Sequence, residues 1–382
     1  MELQALADDL LSRGVSRIHT FAWRDLDDPE AGGSEVHADH VFRRWAATGL
    51  EITHRTSTAG REQKFSRNGY QVIQRSGRYS VFPSAIAHEI RNGKESRDAV
   101  IEIWNGVPWF SQLWSRTPRN VWLHHVHGPM WKQSLPPGFA QLGNLIESRI
   151  APHFYKRTPV ITLSDSGRDE LIHLGFKANL VHVVNPGVDD LYSPDPTTAI
   201  TSEPTLVAVG RLAPVKRFQL LIETVEKVRE TLPNLVLNIV GDGPDKAKLE
   251  TLAASRPWLR LLGRLETADL INLYRKSWLL VSASIAEGWG MTITEAGACG
   301  TPAVVIDNSG HRDATINGVT GLVSANPDDL ARDIQRVLTD ADLRGNLASG
   351  ALKRSEQLRW DNTATATLSH LHAEVLRFKN SA

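Results

Sequence analysis

The chain has 382 residues, about twice the length of a typical single domain, which predicts two domains. Basic and acidic residues number 43 each, so the formal net charge is zero, which argues against a general nucleic-acid binder. One cysteine excludes a disulfide framework, and no apolar run approaches the ~20 residues that cross a bilayer.

Short apolar runs alternate with helical patterns along the whole chain. In the first half, the predicted strands are residues 17–23, 98–104, 120–125, 159–163 and 180–184. In the second half, they are residues 205–210, 234–240, 278–282 and 301–306. Runs that are apolar on both faces and separated by helices indicate parallel sheets covered on both sides, and we expect two of them. The chain is therefore predicted to be an α/β protein.

Residues 185–204 are rich in Pro, Asp, Ser and Thr and have no periodicity, which is typical of a linker. We expect the domain boundary near residues 190–203. The sequence thus predicts a first domain over 1–190 and a second over 204–360. Residues 361–382 are predicted to form a terminal helix that crosses back to the first domain.

The segment from Ser282 to Pro302 is predicted to be a strand, a glycine-rich loop, a helix and the next strand. Glycines in the loop allow a close backbone approach, and the amides that begin the helix suit an anion. Glu287 and Glu295 offer carboxylates to hydroxyl groups on either side of such an anion, as in a sugar nucleotide. The spacing of Thr292 and Glu295 also fits a capping box, and the pattern alone leaves that alternative open.

Two cations follow the first strand of the second domain, where parallel sheets bind ligands. Arg211 and Lys216 together can hold a diphosphate without a metal ion. For the neighbouring Arg217 we expect only a solvated position. Gly241 and Gly243 form a tight turn after the next strand, which by itself is a weak signal.

Taken together, these elements resemble the retaining glycosyltransferases of family four, which have the GT-B fold. The motifs that carry the resemblance are Glu287–seven–Glu295, Gly210-Arg-Leu…Lys216, Val240-Gly-Asp-Gly-Pro244, Gly318-x-x-Gly321, Gly32-Gly-Ser-Glu35, Val184-Asn-Pro-Gly-Val-Asp189 and Trp360-Asp361. The likeness covers nearly the whole chain. It implies two Rossmann-like, doubly wound parallel-sheet domains that face each other across a cleft.

The resemblance also implies a role for each matching residue. Glu295 resembles the glutamate that binds the nucleotide ribose, and Glu287 the one that faces the transferred sugar. The remaining donor-binding residues are expected to be Gly32, Gly33, Arg211, Lys216, Gly241, Gly243, Gly290, Met291 and Thr292. Among these, Arg211 and Lys216 would hold the diphosphate, and the amides of Gly290, Met291 and Thr292 the phosphate and sugar hydroxyls.

The segment His124-His-Val-His-Gly128 follows a predicted strand of the first domain. The family has one histidine near the donor sugar at this point, which His127 matches best, with His125 as the alternative. Three histidines also suggest metal ligation, but no carboxylate nearby completes a ligand set, so we expect no metal. Asp25 and Asp27 form an Asp-x-Asp pair, which we interpret as part of a loop on the acceptor side.

Other prominent residues are expected to pack in the interior. Five tryptophans cluster in the middle of the first domain, and core packing is predicted for most of them. They are Trp104, Trp109, Trp114, Trp122 and Trp131. The one cysteine, Cys299, lies among small residues on a predicted buried helix and is expected to be inert.

The resemblance implies transfer of a hexose from a UDP- or GDP-linked sugar to an unidentified glycan, glycolipid or small molecule. Attack would occur on the front face, with retention of configuration and with neither a metal nor another cofactor. Two alternatives stay open: a non-hydrolysing sugar-nucleotide epimerase and a non-catalytic subunit that binds a sugar nucleotide. Because the first residues do not form a secretion signal, we expect a cytoplasmic protein, with contact to the inner face of the membrane and the oligomeric state left open.

Overall fold

The computed structural model describes residues 1–92, 97–128, 131 and 137–380. The chain divides into two compact units. Unit 1 consists of Met1–Gly187 and Trp360–Ala382, and unit 2 is Val188–Arg359. Most of the segment expected to be a linker therefore belongs to unit 2, and the terminal helix belongs to unit 1.

Unit 1 is built on an eight-stranded sheet in the order β3-β4-β2-β1-β5-β6-β7-β8. The strands are β1 (Arg17–Phe21), β2 (Glu51–Thr56), β3 (Gln63–Arg67), β4 (Tyr70–Gln74), β5 (Ala99–Ile103), β6 (Arg119–Trp122), β7 (Val160–Thr162) and β8 (Val181–Val183). All pairings are parallel except that of β3 with β4, a hairpin at the sheet edge. The predicted parallel sheet thus carries one antiparallel strand, β3, at this edge.

Among the described residues, one helix of unit 1 precedes β1, and the others before the boundary lie between strands. These helices are α1 (Leu3–Ser12), α2 (Gly33–Ala47), α3 (Val81–Asn92), α4 (Ser111–Trp114), α5 (Pro137–Leu145), α6 (Ala151–Phe154) and α7 (Asp165–His173). A π-helical segment, Ile146–Ile150, connects α5 to α6. Short π-helical segments are rare and often occur at functional sites.

Unit 2 has a six-stranded parallel sheet in the order β11-β10-β9-β12-β13-β14. Its strands are β9 (Thr205–Val209), β10 (Val236–Val240), β11 (Leu259–Gly263), β12 (Leu279–Ser282), β13 (Ala303–Ile306) and β14 (Gly321–Ser324). Its helices are α8 (Phe218–Arg229), α9 (Lys246–Ala253), α10 (Thr267–Lys276), α11 (Met291–Ala298), α12 (Ser309–Ala314), α13 (Pro327–Thr339) and α14 (Ala341–Ser355). The pattern of two α/β units with parallel sheets confirms the predicted fold class.

Each sheet has a switch point, which is a strand from which the chain continues first to one side of the sheet and later to the other side. In unit 1, β1 lies between β2 and β5; in unit 2, β9 lies between β10 and β12. Loops that leave the carboxyl ends of neighbouring strands at such a point diverge and form a crevice, where open α/β sheets bind ligands. The loops after β1, β5, β9 and β12 are therefore the first places to look for a site.

The chain ends with α15 (Trp360–Lys379), which packs within unit 1. One face of α15 joins the unit 1 core through Ala364, Leu368, Leu371 and Val375. The indole of Trp45 on α2 donates a hydrogen bond of 3.0 Å to the carbonyl of Ala364. The sheet of unit 1 is thus covered on this side by the last helix of the chain.

Most of the first-domain tryptophans lie in the interior, as predicted. Trp104, Trp109, Trp122 and Trp131 are each at most 5% exposed, whereas Trp114 is half-buried. Within the described ranges, no helix is both long enough and apolar enough to cross a membrane.

Candidate functional site

In unit 2, the loops after β9 and β12 are joined by hydrogen bonds. The amide of Ile285 donates to the carbonyl of Val215 at 2.9 Å, and the Arg217 guanidinium donates to the carbonyl of Ala283 at 2.6 Å. The Lys216 ammonium contacts Glu287 Oε1 at 2.5 Å. The expectation that Arg217 is merely solvated is wrong, because its side chain is half-buried and fastens one loop to the other.

Lys216 and Glu287 form an ion pair that is largely removed from water. The two side chains are 22% and 18% exposed. Burial acts to raise the pKa of Glu287, but Lys216 and the other polar groups around it together outweigh burial and bring that pKa below its ordinary value. Glu287 therefore stays a carboxylate at neutral pH, in contact with a cation at the switch point of the sheet.

The helix after this loop presents unused amide groups. Gly290 precedes α11 in the left-handed region, with φ of 105°, and no side chain in the described ranges caps the helix. The first amides of a helix have no intrahelical acceptor, and the helix dipole makes them attractive to an anion. Met291 and Thr292 supply those amides, and their expected contact with a donor stays a prediction.

The capping-box interpretation of Glu295 is wrong. Gly290 is the N-cap, so Thr292 lies within the first turn of α11 and Glu295 lies beyond the reach of such a box. Glu295 is half-buried, and burial raises its pKa to about 7, although the Tyr274 hydroxyl beside it acts in the other direction. Near neutral pH its carboxyl group can therefore either hold or release a proton.

Three predicted glycines pack the backbone of neighbouring loops against each other. A Cβ at Gly241 would lie 1.9 Å from the carbonyl oxygen of Gly210, and one at Gly243 would lie 2.5 Å from that of Leu212. The amide of Leu212 also donates to the carbonyl of Asp242 at 2.9 Å. These glycines are needed by the fold itself, whether or not they also approach a ligand.

Arg211 is exposed on the same loop. It lies five positions before Lys216, which is half-buried and contacts Glu287, so the two predicted diphosphate ligands differ in their exposure to solvent.

Sequence reasoning missed three residues that surround Glu287. A Cβ at Gly310 would lie 2.4 Å from the carbonyl oxygen of Glu287, so α12 starts directly against that residue. Asn308 donates to the carbonyl of Ser284 at 2.9 Å, and the buried His311 has its pKa lowered by burial, with Glu287 opposing that effect. Their position after a predicted strand was the available signal, since ligand loops follow strands.

In unit 1, Asp25 and Asp27 are occupied by contacts within the loop after β1. Arg67 donates to Asp25 at 2.6 Å and lies 2.8 Å from Asp27, and Gln74 donates to both carboxylates at 2.7 and 3.0 Å. Burial acts to raise the pKa of Asp25, but Arg67 and the other polar groups around it together bring that pKa below its ordinary value. The pair fastens the β3–β4 hairpin to this loop, in line with the interpretation as part of a loop.

The Gly32-Gly33 segment begins α2. The amide of Gly32 donates to Glu35 Oε2 at 2.8 Å, and Asn105 after β5 donates to Ser34 Oγ at 2.8 Å. A Cβ at Gly32 would meet only Glu35 Oε2, at 3.9 Å, and its backbone is extended. Among the described residues nothing requires glycine at position 32, which leaves close approach of a ligand as the reason to test.

The three histidines after β6 separate into two environments. His124 is buried against His37, with ring centres 4.8 Å apart, and burial places its pKa well below the ordinary value. His125 and His127 lie on one side, with ring centres 4.5 Å apart, although β6 itself ends at Trp122. In the part of the chain that the structure describes, no three His, Cys, Asp or Glu side chains form a metal-binding group.

Glu147, in the π-helical segment, holds the histidine loop, and no sequence signal identified it. Its carboxylate is 1% exposed and accepts hydrogen bonds from the amides of His127 and Gly128, both at 2.9 Å. It also accepts the indole N–H of Trp131 at 3.0 Å, and the Trp131 ring lies 4.9 Å from that of His127. These contacts join residues 16 to 20 positions apart in sequence, with no motif between them.

The sole cysteine, Cys299, is buried on α11's C-terminal side, and burial raises the pKa of its thiol to about 12. A thiol that stays protonated is a poor nucleophile and a poor metal ligand, which agrees with the expected inert role.

Comparison with known proteins gives matches over both units. Residues 31–190 match the family model Glycosyltransferase Family 4, and residues 194–354 match the model Glycosyl transferases group 1. A D-inositol 3-phosphate glycosyltransferase of Streptomyces bingchenggensis is 31% identical over 248 residues, which is 57% of this chain and 53% of that protein. A glycogen synthase of Mycobacterium tuberculosis is 33% identical over 218 residues, or 54% of this chain and 52% of that protein. The chain spans about half the length of the curated relatives it matches.

Solved structures resemble the chain over almost its full length. Sucrose-phosphate synthase from Thermosynechococcus elongatus has a TM-score of 0.80 at 19% identity and covers 95% of this chain and 99% of its own. Anabaena HepE, crystallised with UDP and glucose, has a TM-score of 0.73 at 19% identity, with coverage of 95% and 99%. These likenesses show the GT-B fold, and with the two matched models they lead to one conclusion. The chain belongs to the family-four, group 1 glycosyltransferases.

Proposed function

We propose that the protein is a retaining glycosyltransferase that moves a hexose from a nucleotide-diphosphate sugar to an acceptor. The observation that carries this proposal is the half-buried contact of Lys216 with Glu287 at the switch point of unit 2, followed directly by the uncapped start of α11. A cation, a hydroxyl acceptor and free amides lie there within one short stretch of backbone. The names of the relatives support the proposal, as does the UDP and glucose found with HepE.

In this proposal the donor is held from one end to the other. Glu295 accepts hydrogen bonds from the nucleotide ribose, and Glu287 accepts them from hydroxyls of the sugar. Arg211 and Lys216 bind the diphosphate, together with the amides that begin α11. Lys216 exchanges part of its contact with Glu287 for the diphosphate, so each member of the ion pair serves one half of the donor.

The proposed chemical step needs no metal ion. The bond between the anomeric carbon and the diphosphate oxygen breaks, and the acceptor oxygen forms a new bond to that carbon from the same face. The departing phosphate oxygen takes the acceptor's proton. Arg211 and Lys216 stabilise the negative charge that develops on the diphosphate, which is the part of catalysis that preorganised cations perform.

Unit 1 is proposed to supply His127 as a contact of the transferred sugar, with His125 as the alternative. Gly32 and Gly33 are proposed to allow the backbone close to the donor. The acceptor is left as a glycan, glycolipid or small molecule. The proposed location is the cytoplasm, with contact to the inner face of the membrane if the acceptor is a lipid.

Two other functions predict different behaviour with the same donor. A non-hydrolysing epimerase converts the donor with no acceptor present. A non-catalytic subunit binds the donor and turns over no acceptor. The relatives named as glycosyltransferase and glycogen synthase favour transfer over both alternatives.

The test begins with a thermal-shift screen of UDP- and GDP-linked sugars, because a ligand that binds the folded state raises its apparent stability. Turnover of the best donor is then measured over an acceptor panel, with and without excess EDTA. Arg211→Ala and Lys216→Ala are each expected to lower kcat on the order of 10²-fold, and the double variant to fall short of the product. Exposed Lys177→Ala is the control and should retain full turnover.

Three outcomes contradict parts of the proposal. Donor conversion without an acceptor supports the epimerase. Donor binding without turnover across the panel supports the binding subunit. Turnover that EDTA abolishes and Mn²⁺ restores refutes the metal-free step and directs attention to Asp25 and Asp27.

A further inference from the structure

A cavity of about 390 Å³ lies in unit 1, between the last turn of α15 and the segment that follows α6. Arg119, the first residue of β6, and Thr158, just before β7, form part of its lining. The cavity therefore lies at the amino ends of these strands, whereas His127 follows the carboxyl end of β6. Its volume is within the range of small-molecule sites.

The lining of this cavity carries a surplus of positive charge. Four permanent cations contribute to it, namely Arg119, Lys156, Arg157 and Arg377. Among the described residues of the lining, the one carboxylate is Glu374, and Arg377 already binds both of its oxygens, each at 2.7 Å. The buried Glu102, behind the lining, also acts on Arg119. Two carboxylates cannot balance four cations, so the cavity favours an anion.

Two aromatic side chains stand beside these cations. Phe154 at the end of α6 is 44% exposed, and Phe378 near the end of α15 is 36% exposed. Exposed apolar rings next to a basic pocket suit an anion that also has a carbon portion. Arginine forks match the geometry of phosphate oxygens, and the two exposed side chains of Lys156 and Arg157 can reach a bound group without crossing the core.

We propose that this cavity binds the phosphate group of an organic phosphate, whose carbon portion packs on Phe154 and Phe378. The compound is either a small phosphorylated metabolite or a phospholipid headgroup, since both present the same group. Such a ligand connects the last turn of α15 to the amino end of β6. The proposal does not depend on the proposed glycosyl transfer.

The experiment uses the full chain and three probes: inorganic phosphate, glycerol 3-phosphate and vesicles of phosphatidylglycerol, with phosphatidylcholine vesicles as the neutral reference. Binding of the soluble probes is measured by calorimetry and that of vesicles by co-sedimentation. Lys156→Glu and Arg157→Glu are expected to weaken binding at least about tenfold, which is the usual effect of losing a charged hydrogen bond. The matched control is Lys177→Glu, an exposed lysine of the same unit, which should bind as the unmodified protein does.

The three probes separate the sources of the phosphate. Binding of glycerol 3-phosphate supports a soluble ligand, and binding of phosphatidylglycerol vesicles alone supports a lipid. Glycerol 3-phosphate should bind more tightly than inorganic phosphate if the two rings take part. If a charge reversal lowers the melting temperature, Lys156→Gln and Arg157→Gln replace it.

Lys216→Ala separates this cavity from the donor loops. It should leave phosphate binding unchanged even if donor turnover fails. The proposal is overturned if none of the probes binds, if the reversed variants bind like the control, or if Lys216→Ala alone abolishes binding.

Discussion

The carboxyl group of Glu295 gives the sharpest test of the donor site. The predicted binding of ribose hydroxyls favours its ionised form, whereas burial favours its protonated form. Burial raises its pKa from 4.5 to about 7. Between these values the folded protein holds a proton that the unfolded chain has released, so stability falls as pH rises through this window. At ~1.4 kcal/mol for each tenfold change in ionisation, the ionised group lowers the free energy of unfolding by about 3 kcal/mol at pH 8.

Glu295→Gln removes this pH dependence. We expect the variant to match the unmodified protein in stability near pH 4.5 and to exceed it by about 3 kcal/mol at pH 8. Chemical denaturation at both pH values measures the difference. A variant that is less stable at both would mean that Glu295 has a structural role instead.

Donor affinity should rise with pH, whereas the stability of the folded protein falls. If ribose hydroxyls donate to the carboxylate, only ionised Glu295 binds well, and its ionised fraction rises from about one tenth at pH 6 to about nine tenths at pH 8. Calorimetry with a nucleotide sugar should therefore show about tenfold tighter binding at pH 8, and Glu295→Gln should bind weakly at both. Glu287→Gln is the control: because the pKa of Glu287 is lowered, this variant should keep the tenfold slope.

The reasoning is refuted if Glu295→Gln binds the donor as tightly as the unmodified protein at pH 8. It is also refuted if the variant retains the pH dependence, because another group must then titrate. The diphosphate of a nucleotide sugar is esterified at both ends and does not titrate in this range, so the ligand itself does not obscure the result.

Further predictions concern unit 1 and the loop glycines. His127→Ala should lower kcat far more than it weakens donor binding, and the same loss in His125→Ala alone would move the assignment. Glu147→Gln should lower kcat with little change in KM, since it loosens the histidine loop without touching the donor, and unchanged kcat would leave Glu147 a purely structural residue. Gly241→Ala should unfold at a clearly lower temperature than Gly263→Ala, because both residues have positive φ but only a Cβ at Gly241 meets a backbone atom. Equal melting temperatures would contradict that explanation.

Strands buried on both faces could be predicted from the sequence, and half-exposed strands could not. The runs of β5, β9 and β13 are apolar except for Glu102 in β5 and Thr205 at the start of β9, so composition alone identifies them. In β2 and β11, buried and more exposed positions alternate, and the search for continuous apolar runs missed both. The β3–β4 hairpin was missed as well, although its Asn68-Gly69 turn, with positive φ at both residues, is a strong local signal.

The candidate site likewise contains residues that the sequence could indicate and contacts that it could not. Glu287, Glu295 and Lys216 lie in motifs whose spacing is local, so the sequence could indicate them. The pairing of Lys216 with Glu287 joins residues 71 positions apart, and it follows from the adjacency of β9 and β12, which no local pattern encodes. The hold of Glu147 on the histidine loop depends on tertiary packing alone.

The return of α15 to unit 1 has a consequence for the order in which the chain folds during synthesis. The buried side chains of α15 complete a core whose strands are synthesised first. The whole of Val188–Arg359, about 170 residues, is synthesised after those strands and before α15. At ~5–20 residues per second, the apolar surface that α15 will cover stays open for roughly 10–35 seconds after the first sheet has emerged. Unit 2 is encoded without interruption and has no such delay. The unit that leaves the ribosome first is therefore the last to finish folding.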